Sequence, residues 1–197
     1  DEVYGDLIQK KLGSKEGDPY IPSSPYSASK ASADHLVRSW SRTYGIKHNI
    51  TCSSNNYGPY QNKEKFIPVI IKNILNFKKI PVYGSGNQVR NWVYVGDNAD
   101  AIIKVAFNGK QNETYNIATT NDCTNIFLVK KICDIMVKYY GFDKKIFNLI
   151  KFVKDRPGHD FKYKMNSSKI RNGLNWLPKY NFTDGLKKTI SWYLNRK

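Results

Sequence analysis

Short β-branched runs alternate with longer segments of helical period along this chain, and that alternation is what most restricts its fold. The run within His48–Tyr60, then Pro81–Tyr83, Val89–Val95 and Glu113–Ile117, read as strands. Around them, apolar residues recur every three to four positions at 26–44, 66–77, 97–107 and 125–140, which read as helices. A parallel return between strands needs a crossover long enough to hold a helix, so the expectation is a layered α/β protein with at least partly parallel strands.

Punctuation refines this outline. Residues 12–27 concentrate Gly, Pro and Ser and read as a loop, with Ser23 or Ser24 as a helix cap, Pro25 in the first turn and Gly45 closing the helix. Asp97 is expected to cap the helix that runs to about Phe107. Gly84-Ser85-Gly86 lacks the lysine and the strand–helix setting of a phosphate loop and reads as a turn. Ile146–Val153 is strand-like, Asp155–His159 forms a compact turn, and closing helices are expected near 167–173 and 182–195. The opening Asp1-Glu2-Val3-Tyr4-Gly5 reads as the end of a strand running into a loop, and with no Met before it an upstream part is expected.

Composition removes several function classes. No stretch approaches the roughly 18–20 apolar residues of a membrane span, and the first residues lack the order of a secretory signal, so membrane and export readings are set aside. Cys52, Cys123 and Cys133 are widely spaced, with no Cys-x-x-Cys pair and no clustered histidine, which favours buried thiols in a reducing, cytoplasmic setting and no metal. The net charge of +16 comes from 26 Lys and six Arg spread along the chain beside 20 Asn. Without a basic block interleaved with stacking aromatics, no specific nucleic-acid site is expected.

Three groups of residues could carry chemistry. Tyr26 and Lys30 are spaced i, i+4, so on a helix both leave one face a turn apart. A phenol with a pKa near ~10 is a poor base at neutral pH, and an adjacent ammonium lowers that value. The same spacing recurs at Tyr140/Lys144 and Tyr193/Lys197, but only the first pair opens a helix lined with small residues that let a flat ligand approach. A surface Tyr packed on a Lys stem remains the plain alternative. Asp1 and Glu2 are adjacent carboxylates that different surroundings could split into an acid and a base, or that could form a solvated acidic pair. Arg90 and Arg156 are two of the six arginines, and their planar forks suit a diphosphate or ordinary ion pairing.

Taken in order, DEVYGD at 1–6, SPYSASKASADHLVR at 24–38, SSNNYGPYQNKEKFIP at 53–68, IPVYGSGNQVRNWVYV at 80–95 and DRPGHD at 155–160 resemble the nucleotide-sugar 4,6-dehydratases of the extended short-chain dehydrogenase/reductase family. The resemblance covers essentially the whole chain. It implies an incomplete Rossmann-type parallel sheet with a smaller C-terminal nucleotide-sugar-binding α/β domain. Residues 1–60 would be the remainder of the NAD-binding domain and 61–197 mainly the substrate domain, with about 89–118 returning to the Rossmann sheet. The glycine-rich turn for the NAD pyrophosphate would lie upstream of Asp1.

The resemblance also implies roles. Tyr26 would deprotonate the sugar 4-hydroxyl as hydride passes to NAD, and Lys30 would lower the Tyr26 pKa and hold the nicotinamide ribose. Glu2 would remove the C5 proton, Asp1 would protonate the departing 6-hydroxyl, and hydride would return to C6. Asn55 would contact the substrate and Asn56 the nicotinamide side. Lys65, Arg90 and Arg156 would meet the diphosphate, with Phe66, Pro81, Tyr83, Asn125 and His159 completing the substrate site. The implied substrate is dTDP-glucose or UDP-glucose, the implied product feeds deoxysugar synthesis such as rhamnose, and a homodimer through the 26–44 helix is implied. Phe66 in place of a usual Leu, Asn91 in place of Asp and Gly96 in place of an acidic residue depart from the pattern. A 4-epimerase, a uronate decarboxylase or a non-catalytic nucleotide-sugar-binding fragment remain the alternatives, the adjacent Asp1-Glu2 favouring dehydration.

Overall fold

A capping box starts the first helix, α1 (Pro25–Tyr44), in the computed structural model, which describes residues 2–6, 13–155 and 160–195. Ser24 is extended, its hydroxyl accepts from the Ser27 N–H at 3.1 Å, and Ser27 Oγ accepts from the Ser24 N–H at 3.0 Å. Pro25 occupies the first turn, where a missing N–H costs nothing, and Gly45 closes the helix in the left-handed conformation with φ 67°. These are the caps the sequence predicts. The apolar stripe behaves differently: of α1 only Ser27 and Ala31 are buried, while Leu36, Val37, Trp40 and Tyr44 are exposed.

Among the described residues, the strands form three small sheets, and three of the four strand pairings are parallel. β1 (Asn49–Ser53) runs parallel to β5 (Glu113–Ile117), with Cys52 opposite Asn116. β2 (Asn55–Tyr57) runs parallel to β4 (Val89–Tyr94), and β3 (Ile80–Tyr83) to β7 (Ile150–Val153). β6 (Asp122–Thr124), which the sequence does not announce, pairs antiparallel with β4. Helices α2 (Phe66–Leu75), α3 (Val95–Asn108), α4 (Asn125–Tyr140), α5 (Ser168–Leu174) and α6 (Phe182–Leu194) complete the expected α/β order.

Among the described residues, three apolar clusters hold these elements. The largest joins Ile67, Ile70, Ile71 and Ile74 of α2 to Leu128, Ile132 and Met136 of α4 and Leu186 and Ile190 of α6, over Val82 and Trp92. A second packs Ala101 and Val105 of α3 against Tyr115, Ile117, Ile170 and Trp176. β4 serves both, because successive strand residues face opposite sides: Trp92 enters the first cluster and Val93 the second. The third, around Val3, Tyr4, Ala31, Ile50 and Cys52, seats the N-terminal segment against α1 and β1. Among the described residues, no helix is long and apolar enough to cross a membrane.

Several expectations are corrected. Glu2–Tyr4 form a 3₁₀ turn rather than a strand end, closed by the Gly5 N–H on the Glu2 carbonyl at 3.1 Å. Ile146–Val153 divides into a 3₁₀ segment, Lys144–Leu149, and β7, because the Asp143 carboxylate captures the Lys145 N–H at 2.7 Å and starts a helical turn. Asp97 is not a cap, since α3 begins at Val95. Its buried carboxyl group instead accepts from the backbone N–H groups of Lys179 at 2.9 Å and Tyr180 at 3.2 Å, and its carbonyl accepts from Trp176 Nε1 at 3.2 Å. The compact turn at 155–159 lies, beyond Asp155, outside the described residues.

Candidate active site

A cavity of about 800 Å³ opens where the N-terminal turn, α1, the β1–β2 segment, α2, β3 and β4 converge. Glu2 from the 3₁₀ turn and Tyr26 and Lys30 from α1 contribute to its lining. The helical spacing puts the Lys30 ammonium 5.8 Å from the centre of the Tyr26 ring, and the phenol is 59% exposed, open to a ligand. Asn55 and Asn56 line it at β2. Lys65 and Phe66 at the start of α2, Pro81 and Tyr83 on β3, Arg90 on β4 and Asn125, the first residue of α4, complete this part of the lining. Every site residue predicted from sequence that the structure describes therefore lines one cavity. Asp1, Arg156 and His159 lie outside the described residues.

Two groups of lining residues differ in charge and anchoring. Lys65 precedes α2, whose N-terminus carries no side-chain cap, so a lysine and the positive end of a helix dipole face the same space. Arg90 is 7% exposed and is fixed by carbonyls: Nη2 donates to Asp160 O at 2.7 Å, and Nη1 to Val89 O at 2.8 Å and Phe161 O at 3.3 Å. Its guanidinium lies 4.3 Å from the centre of the Tyr163 ring. Lys65 and Arg90 suit an anion with several oxygens; the Glu2–Tyr26–Lys30 group suits proton transfer.

The sequence reading missed several lining residues. Asp34 continues the Tyr26–Lys30 row by one more turn of α1, a signal present in the spacing. It accepts from the Tyr20 hydroxyl at 2.7 Å, and Tyr20 in turn accepts from Arg38 Nη2 at 3.2 Å, which also reaches Thr114 Oγ1 at 3.2 Å. The Cys52 thiol lines the cavity too, and burial pushes its pKa up, keeping it neutral. Gln61 donates to the Asn56 carbonyl at 2.8 Å and its own carbonyl accepts from Tyr193 Oη at 2.8 Å, fixing the loop after β2. The side-chain oxygens of Asn55, Asn56 and Gln61 are buried and find no donor among the described residues. Buried acceptors left unpaired are costly, so this wall fits a ligand that presents hydroxyl or amide N–H groups.

Comparison with known proteins places this geometry. The family model described as GDP-mannose 4,6 dehydratase matches residues 1–189. The chain belongs to this family. Among curated relatives, the dTDP-glucose 4,6-dehydratase of Neisseria meningitidis serogroup B is 50% identical over 201 residues, covering 100% of this chain and 57% of the relative. An Escherichia coli dTDP-glucose 4,6-dehydratase is 49% identical over 210 residues, covering 100% and 58%. The chain thus spans well under two thirds of the length of these family members. The crystal structure of the Streptomyces venezuelae dTDP-glucose 4,6-dehydratase, solved with NAD bound, superposes with a TM-score of 0.90 at 38% identity, over 99% of this chain and 58% of that one. The UDP-glucose 4-epimerase of Thermotoga maritima, solved with UDP-glucose, gives a TM-score of 0.87 at 28% identity, over 98% and 60%.

Proposed function

We propose that this chain carries the proton-transfer and nucleotide-sugar end of an NDP-glucose 4,6-dehydratase, with dTDP-glucose or UDP-glucose as substrate. The observation that carries the reading is that Glu2, Tyr26 and Lys30 share one cavity with Lys65, Arg90 and Asn125. Residues 1–60 with the returning 89–118 segment would belong to the NAD-binding domain and the rest mainly to the substrate domain; the parallel β1–β5 pairing supports that division.

The chemistry follows from the residues. Tyr26 Oη takes the proton of the sugar 4-hydroxyl, and the Lys30 ammonium stabilises the phenolate that this requires. Oxidation at C4 acidifies the C5 proton, which Glu2 removes, while Asp1 gives a proton to the departing 6-hydroxyl. Arg90, Lys65 and Arg156 hold the diphosphate, and Pro81, Tyr83, Phe66, Asn125 and His159 surround the nucleoside end. Tyr26, Lys30 and Asn56 would hold the nicotinamide end of NAD; the unpaired Asn56 oxygen and the open Tyr26–Lys30 face fit that group. When bound, NAD supplies a hydride acceptor for C4 and a donor for C6 and is regenerated each cycle. The exposed Leu36, Val37, Trp40 and Tyr44 support a homodimer through α1, and three free cysteines support a cytoplasmic setting.

The test uses the chain extended N-terminally by the residues of the Neisseria meningitidis relative that precede the match. It is incubated with dTDP-glucose and UDP-glucose separately, and the 4-keto-6-deoxy product is followed by its absorbance in alkali. Product that disappears in Tyr26→Phe and Glu2→Gln is expected, and the preferred sugar nucleotide names the base. No product from either substrate, with NAD still bound, refutes the dehydratase reading and favours an epimerase or decarboxylase.

A further inference from the structure

Asp160 ties together parts of the cavity that the chain separates widely. Its carboxylate, only 7% exposed, accepts from the Ser23 hydroxyl at 2.5 Å and from the Tyr163 phenol. Its carbonyl accepts from Arg90, whose guanidinium stacks on the same Tyr163 ring. Ser23 directly precedes Ser24, the cap of α1, so it sits three residues before Tyr26. On the opposite flank, the Asp6 carboxylate accepts from the N–H groups of Phe161 at 2.7 Å and Lys162 at 3.1 Å, joining the segment to the stretch that carries Glu2. Burial first, and then the bond to Asp160, raise the Tyr163 pKa, so its hydroxyl remains a donor.

We propose that Asp160 is a positioning residue that couples occupation of the anion-binding site at Arg90 to the placement of the first turn of α1, and so of the Tyr26 hydroxyl. A carboxylate taking two hydroxyl donors out of water is among the stronger polar links available, and burial removes the solvent that would compete for it. Arg90 is held by carbonyls of the same segment, so a phosphate that draws the guanidinium bears on residues 160–161, and Asp160 passes that displacement to Ser23. The inference rests on reading Arg90 as a diphosphate ligand. It adds a residue that touches neither the reacting atoms nor the diphosphate and acts through the groups that do.

Amide hydrogen exchange on the N-terminally extended chain reads this coupling without turnover, with thymidine diphosphate and then uridine diphosphate as probes. The reporters are the Ser27 and Ala28 amides, bonded to the Ser24 side chain and carbonyl in the first turn of α1. In the unmutated chain, nucleotide is expected to slow their exchange about threefold or more. Asp160→Ala and Ser23→Ala are expected to bind nucleotide within about threefold of the unmutated affinity yet lose most of the slowing, and Asp160→Asn, which keeps an acceptor oxygen, to restore part of it. Should Asp160→Ala fail to fold, Ser23→Ala, which removes one hydroxyl, decides the matter. Full slowing in Ser23→Ala overturns the proposal and leaves Asp160 a purely structural residue. Failure of both nucleotides to bind the unmutated chain overturns it together with the diphosphate reading. An extended chain that makes no dehydration product but shows the coupling, with its loss in both variants, supports the proposal while removing the dehydratase reading.

Discussion

Replacing Asp97 separates two readings of one residue. A helix cap contributes about 1 kcal/mol and affects its own helix, and that is what the sequence suggests for Asp97. The structure makes it a clamp on a segment about 80 positions later, through the Lys179 and Tyr180 N–H groups, with the Trp176 indole on its carbonyl. Asp97→Ala keeps the carbonyl bond and leaves two backbone donors without their acceptor at a part-buried site. At about 1–3 kcal/mol for each unsatisfied group, and allowing for partial rescue by water at Tyr180 and the exposed Lys179, the cost is about 3 kcal/mol. For a chain of this size that corresponds to a fall in Tm of roughly 6–12 °C. Asp97→Asn keeps one acceptor and turns an NH₂ toward the other donor, so it falls between wild type and Asp97→Ala. Urea unfolding followed by tryptophan fluorescence suits the measurement, because Trp176 is fully buried beside the clamp. Exchange protection of the 176–180 amides should drop with global stability. A loss near 1 kcal/mol, with 176–180 protection unchanged, would restore the cap and refute the clamp.

Two further predictions concern the thiols and the anion-binding site. Burial pushes both Cys123 and Cys133 up to about 12. A folded-state pKa raised above the unfolded value gives stability that is fully present below the unfolded value and lost as pH rises, so stability should fall from about pH 9 toward pH 12; Cys123→Ser combined with Cys133→Ala should flatten that fall in urea titrations at successive pH values. Both thiols should resist an aromatic disulfide reagent at pH 8 until the chain unfolds, and rapid labelling of the native protein would contradict the burial argument. Arg90→Lys keeps the charge but loses the planar fork seated on Tyr163, and should weaken nucleoside diphosphate binding by about ten-fold or more in calorimetry, whereas unchanged affinity would remove Arg90 from the anion site.

What the sequence discloses follows the range of the forces involved. The α1 boundaries were legible because the Ser24–Ser27 box, Pro25 and Gly45 act within a turn of the residues they cap. The Tyr26–Lys30 pair, and Asp34 after it, form one helical row, which the spacing marks once the small residues lining that helix set it apart from the other Tyr–Lys pairs. Glu2 was assigned to the site on a motif, but its local conformation was misread: the 3₁₀ turn depends on packing Val3 and Tyr4 into a cluster with Ala31, Ile50 and Met165, none of them neighbours in the chain. Asp97 and β6 failed for the same reason, their partners being tertiary. A cavity assembled from so many separate elements holds its geometry only if some groups join those elements. Those groups are selected by partners that local pattern cannot reveal, as Asp160 is by Ser23, 137 positions away. Motifs therefore find the groups that meet a ligand, while the side chains that hold those groups in register emerge only when the chain is folded. The Asp160 link and the Asp97 clamp are of that second kind, which is why the measurements that matter most at these positions read coupling and stability rather than turnover.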